Sequence, residues 1–242
     1  MMVQAPTLDI LKKRETQVLY DVKWKKFIRR NRLWRFVPFV DFVLAAGSMA
    51  TGNVHPNSDF DVIVAASYSR IFTARFFSVV LFGLFGWRRK RFTHHEAATD
   101  KICLNHFVTE KSFKLSPPYN SYWQSLYENL VPVFGDPKEV KKFWEMNRSW
   151  MRRVPDYEDD LRHRYRTKAL VTRFVERLVN VTIGNWFESK LKKIQTDHIQ
   201  KSLAREGTGY KPRIIYTDAE LEFHPDTQRI DRYLESEYTR KT

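Results

Sequence analysis

The chain has 242 residues, 43% of them apolar, and a formal net charge of +14 from 42 Lys and Arg against 28 Asp and Glu. That apolar share argues against wholesale disorder. The single cysteine excludes an internal disulfide, so nothing points to an oxidising compartment and a cytoplasmic location is expected. The charge balance favours polyanionic partners such as nucleic acid or nucleotide phosphates, although solvated surface charge accounts for it equally well.

The first residues, Met1 to Glu15, contain no continuous apolar stretch and no cleavage pattern, so no signal peptide is read. Asp9 to Arg32 has helical character, is strongly basic and carries Leu11, Leu19, Val22, Phe27 and Ile28 as apolar points. Pro38 argues against a continuing helix. Phe42 to Ala46 reads as a short buried strand that ends at Gly47, and Phe60 to Ala66 as a second strand rich in Val and Ile. The intervening "GNVHPNS" supplies turn formers.

Ser69 to Trp87 is apolar enough to raise the question of a membrane. Its uninterrupted part, Phe76 to Trp87, is about a dozen residues where a span needs roughly twenty, and Arg75 breaks the longer window. A helix covering one face of a sheet is therefore expected, and a membrane is not expected as a partner. The basic run Arg88 to Arg91 leaves docking on a membrane surface as a reading of a different class. Lys101 to Thr109 reads as a third strand. From Pro117 onward the pattern is mostly helical, including "SYWQSLYENLVPVF" and "RTKALVTRFVERLVNVTIGNWFESKLKKIQ". Gly207 and Gly209 precede a short mixed tail with a turn-like β element. The expected class is α+β. Residues 1–35 form a basic helix, 36–115 a small mixed sheet flanked by helices, 116–205 a helical region and 206–242 the tail.

Two carboxylates, Asp59 and Asp61, open the second strand. Side chains alternate across a strand, so both project to one face, where they repel and would push one pKa up. A divalent cation removes the conflict. Mg²⁺ suits such a site, because it is held by one or two carboxylates plus substrate phosphates; Mn²⁺ is the expected substitute. Gly47 and Ser48 fit the other half of such a site. Glycine lets backbone approach phosphate oxygens, and Ser48 to Ala50 could begin a short helix with unpaired N–H groups.

Gly47-Ser48, ten residues, then Asp59-Phe60-Asp61-Val62 resembles the signature of the nucleotidyltransferase superfamily of the DNA polymerase β type, and is most similar to its small bacterial members. The resemblance spans Phe36 to Thr109. It implies a polymerase β-like core in which Asp59 and Asp61 bind Mg²⁺ while Gly47 and Ser48 hold the phosphates of a nucleoside triphosphate, with ATP the expected donor. The implied reaction transfers a nucleoside monophosphate to a hydroxyl and releases pyrophosphate. The acceptor stays open among RNA, a small molecule such as an aminoglycoside, and a protein side chain.

The family usually adds a third carboxylate on a later strand. Here that strand offers "CLNHF", so Asn105 stands as the candidate third ligand, with Asp100 at the strand's start as the other; Glu96 and Glu110 are weaker. Asparagine carries no charge and cannot act as a base. Activity would then be slow, depend on His106 or His55, or be absent. The alternative is a catalytically silent relative that binds nucleotide or nucleic acid. His94, His95 and Glu96 form no zinc-spaced pair of clusters. Most tryptophans are read as core rather than base-stacking residues, Cys103 as buried and inert, and His224 as a turn residue.

Overall fold

Helix α1 (Leu8–Arg30) leads the chain. Its second half turns Trp24 and Phe27 into the core, whereas Lys12 to Val18 lie in solvent. A 3-10 turn over Asn31–Phe36 follows and buries Trp34, whose indole N–H donates to Asn31 Oδ1 at 3.0 Å. These features come from a computed structural model, which describes residues 8–89, 98–116, 119–151, 162, 167–181, 183–203 and 213–224. Gly207, Gly209 and the His94-His95-Glu96 cluster lie outside the described residues.

Strand β1 (Val40–Ala45) leads through the short helix α2 (Gly47–Thr51) to β2 (Phe60–Ala66). Helix α3 (Ile71–Leu84) then crosses to β3 (Ile102–Val108), which pairs parallel to β2. Helix α4 (Ser121–Tyr127) is capped by the Asn120 side chain, which accepts from the Trp123 N–H. Strand β4 (Val131–Gly135) pairs antiparallel to β1. Helix α5 (Pro137–Asn147) starts on the Asp136 cap with proline at its first position, where the missing N–H costs nothing. Helices α6 (Leu170–Val181) and α7 (Gly184–Leu203) precede the hairpin of β5 (Arg213–Tyr216) and β6 (Glu220–His224).

The six strands form one mixed sheet in the order β4-β1-β2-β3-β6-β5, an α+β arrangement with helices on both faces. On one face α1, α3 and α7 pack Phe27, Phe72, Phe82 and Leu191 against Val43, Val62 and Phe107. On the other, α4 and α5 pack Trp123, Phe143 and Trp144 against Phe42, Leu44 and Ile63. The expected helix over a sheet face is α3, with Phe72, Ala74 and Phe82 buried while Leu84 at its end is 78% exposed. Among the described residues no helix is long and apolar enough to cross a membrane. Trp24, Trp34, Trp123, Trp144 and Trp150 are buried, and Trp186 is exposed.

Two segments differ from the sequence expectation. "LVPVF" is not the end of a helix but β4, an edge strand. Pro132 cannot continue a helix, and it is tolerated in a strand only at an edge. The tail hairpin is not an appendage either: β6 pairs antiparallel with β3 through His106↔Glu222 and Phe107↔Leu221, completing the sheet.

Candidate functional site

The turn between β1 and β2 builds the site. Ala46 N–H donates to Asp61 C=O at 2.9 Å, tying the start of α2 to β2. Gly47 then adopts φ +61°, a conformation that L side chains rarely take. There is a second reason for glycine. A Cβ on Gly47 would fall 2.1 Å from Asp61 Oδ2 and 2.9 Å from Asp61 Cγ. The Asp61 carboxylate therefore lies directly against the first residue of α2. Met49 and Ala50 are buried and anchor that helix, leaving Ser48 half-exposed beside them. Gly52, in the left-handed conformation, ends it.

Asp59 is fixed by the turn before it. Ser58 N–H donates to His55 C=O at 3.0 Å, and the His55 N–H donates to Ser58 Oγ at 2.9 Å. Lys23, 3% exposed, reaches in from α1 and donates to Ser58 C=O and to Asp100 Oδ1, both at 2.8 Å. Asp100 N–H also donates to Ser58 C=O, at 3.1 Å, and Phe60 N–H to Lys101 C=O, at 2.8 Å. The Asp59 side chain then meets Arg89, whose Nη1 is 2.8 Å from Asp59 Oδ2.

Asp59, just before β2, and Asp61, within it, come together, as the sequence implies, and a third group joins them. The ligand atoms of Asp59, Asp61 and Cys103 all lie within 4.8 Å of one another. Cys103 is the residue opposite Asp61 in the parallel β2–β3 pairing. Burial pushes its thiol well above the ordinary value, and the charges of Asp61 and Asp59 act in the same direction. The thiol is therefore protonated at neutral pH, and its S–H is hydrogen-bonded to Asp61. Cys103 is buried, as expected, but it is part of the site.

The other candidates stand elsewhere. Asp100 is engaged by Lys23 and Lys26 of α1, and Arg30 donates to its backbone carbonyl. Asn105 falls at an irregularity: Asp61 pairs with Cys103 but Ile63 with His106, so Leu104 and Asn105 together oppose Val62. His106 is 2% exposed, and its Nε2 lies 3.1 Å from Glu220 Oε1. With Glu222 these form a second buried group of metal-type donors. His55 and Glu110 are exposed.

Sequence reasoning missed Cys103 and Arg89. Cys103 was legible in principle, since a partner two residues from Asn105 shares its face in a regular strand. The β3 bulge broke that regularity. Arg89 belongs to the basic run after α3, which suggests a surface flank and gives no sign that the chain turns back to Asp59.

The donor set fits a hard divalent cation in part. Two carboxylates converge, as Mg²⁺ or Mn²⁺ requires, whereas a thiol is a soft donor suited to other metals. The Arg89 guanidinium neutralises part of the pair's charge. Comparison with protein-family models, with curated proteins and with solved structures gives no match.

Proposed function

We propose that the protein is a polymerase β-like nucleotidyltransferase acting on a nucleoside triphosphate and a hydroxyl acceptor. The observation that carries this reading is the contact of Gly47 with Asp61. It brings a glycine at a helix start, a serine next to it and two carboxylates of the neighbouring strand into one small site.

In this reading Asp59 and Asp61 would hold a divalent cation, which would supply charge neutralisation on the phosphates and lower the pKa of the attacking hydroxyl. Gly47 leaves backbone open where a side chain would block the carboxylate. Ser48 offers a hydroxyl to a phosphate oxygen. Lys23, held between Ser58 and Asp100, fixes the turn that aims Asp59. Arg89 offsets part of the charge of the carboxylate pair through its contact with Asp59. The chain's role is to position and to neutralise, as phosphoryl transfer requires.

The test is release of pyrophosphate from labelled triphosphates with Mg²⁺ or Mn²⁺ against a mixed set of acceptors. Asp59→Asn and Asp61→Asn should each nearly abolish transfer, and transfer that persists in the double variant refutes the assignment. A second reading is favoured by Cys103, which stands beside the pair where a third carboxylate would complete a metal site. A protonated thiol is neither anion nor base, so the chain would bind triphosphate without chemistry. Triphosphate binding that depends on Asp61, with no pyrophosphate released, distinguishes this case.

A further inference from the structure

The first half of α1 lies in solvent. The helix face that buries Trp24 and Phe27 further along is exposed here, and it presents Lys12, Lys13, Thr16 and Gln17 rather than apolar residues. Between this face and the end of α2 lies a cavity of about 440 Å³, bounded by those four side chains, Tyr20 and Gly52. Its size is that of small-ligand clefts, which run from about 300 to 1,000 Å³. It is a wide, shallow groove rather than an enclosed pocket.

Two cations, Lys12 and Lys13, line it. Among the described residues neither Lys12 nor Lys13 has an ion-pair partner. Arg162 stands behind the lining, where its Nη1 donates to the Tyr20 hydroxyl at 2.8 Å and its guanidinium stands over the Trp24 ring at 5.7 Å. The same Nη1 lies 3.4 Å from Ala50 C=O in α2. The cavity is also close to the carboxylates. Its wall at Gly52 ends a helix of five residues whose first, Gly47, abuts Asp61. At a rise of roughly 1.5 Å per residue, the two ends are about 8 Å apart.

We propose that this groove binds the end of a single-stranded nucleic acid, the acceptor of the reaction. The inference rests on the proposed nucleotidyl transfer and chooses among its acceptors. Lys12 and Lys13 match backbone phosphates and the Tyr20 ring offers a stacking surface, whereas the Thr16 hydroxyl donates to Lys12 C=O and the Gln17 amide to Asp21. An aminoglycoside is a polycation and is repelled by Lys12 and Lys13. A protein side chain would need apolar lining or free backbone groups along the groove, and the lining is mostly charged or polar.

The experiment is fluorescence anisotropy with a 5′-labelled single-stranded RNA of about twelve nucleotides, within the length that one such site covers. It compares Lys12→Glu/Lys13→Glu with Lys141→Glu/Lys142→Glu, an equal charge change at exposed positions on α5. The groove variant should bind at least about 10-fold more weakly. Its log–log salt slope should fall by about 1.4, the loss of two phosphate contacts at roughly 0.7 each for a single strand. The α5 variant should stay close to wild type. Equal weakening in both variants, or none in the groove variant, overturns the proposal. Binding of ATP with Mg²⁺, measured separately by calorimetry, should be unchanged in the groove variant; if it is lost there, the groove belongs to the donor and the acceptor assignment fails. Asp59→Asn/Asp61→Asn should retain RNA affinity. Absence of pyrophosphate release from the wild type defeats the transferase reading, whereas the groove is judged on anisotropy alone.

Discussion

Replacing Gly47 by alanine tests the geometry on which the site depends. Two costs add. The first is conformational: alanine at φ +61° loses about 1–2 kcal/mol in the left-handed region. The second is steric. A Cβ placed 2.1 Å from Asp61 Oδ2 must displace that carboxylate or the turn, and overpacking of this kind costs about 1–3 kcal/mol. Gly52 separates the two, because it has φ +79° but nothing within 4 Å of an added Cβ. Gly52→Ala should therefore cost only the conformational part. Asp61→Ala removes the carboxylate oxygens and Cγ while leaving Cβ 3.0 Å away, so in that background Gly47→Ala should cost clearly less than in the wild type, but somewhat more than Gly52→Ala because the tight Cβ contact remains. Urea unfolding of the four variants and wild type gives the coupling directly, and an interaction of about 1–3 kcal/mol between positions 47 and 61 is expected. Equal costs for Gly47→Ala in the wild-type and Asp61→Ala backgrounds would show that the carboxylate does not lie against the helix start.

Three further outcomes can be measured. Cys103→Asp should raise Mg²⁺ affinity by about 10-fold or more in calorimetry, because a charged oxygen replaces a thiol beside two carboxylates; Cys103→Ser should change it far less, and no gain with aspartate would remove Cys103 from the metal site. At Asp100, burial favours the neutral acid, but hydrogen bonds and charges from Lys23 and Lys26 outweigh it and hold the carboxyl below its ordinary value. Folding then releases this proton, so the stabilisation is present above about pH 4 and lost as pH falls below it; Asp100→Asn should remove that component, seen as a stability difference from wild type that shrinks between about pH 6 and pH 3. Glu188 of α7 caps α3, accepting from the Phe72 and Thr73 N–H groups at 2.9 Å; Glu188→Ala should cost about 1–3 kcal/mol in urea unfolding, and a cost near zero would mean that the cap adds nothing.

The parts of the fold that were legible from the sequence are those governed by local pattern. The strands around the Gly47–Asp61 turn, the apolar sheet-covering helix α3 and the basic helix α1 each follow from apolar runs, periodicity or breaker residues close in the chain. The carboxylate pair was legible for the same reason, since two residues on one strand share a face regardless of what surrounds them. Long-range partners were not. Nothing near Arg89 signals that it meets Asp59, and nothing near Glu220 signals that it will lie beside His106. β4 was hidden because five residues carrying a proline read as the end of the preceding helix until β1 is seen to offer an edge. The third group of the site was missed by the smallest margin: one extra residue in β3 shifts its register against β2, and the sequence gives no mark of a bulge.

The hairpin of β5 and β6 also sets an order of events during synthesis. His106 and Glu220 are 114 residues apart, so β3 leaves the ribosome long before the strand that covers its outer side. In that interval the far end of β3, His106 to Val108, is an open edge with unpaired backbone groups available to any extended chain, whereas its start at Ile102 is already bridged by Arg88. A nascent or truncated chain that ends before residue 213 lacks β5 and β6 and leaves His106 to Val108 exposed to strand addition. Closure of the sheet is thus a late, non-local step, of the kind that slows folding. Such a chain needs either dilution or a chaperone until its last strands arrive.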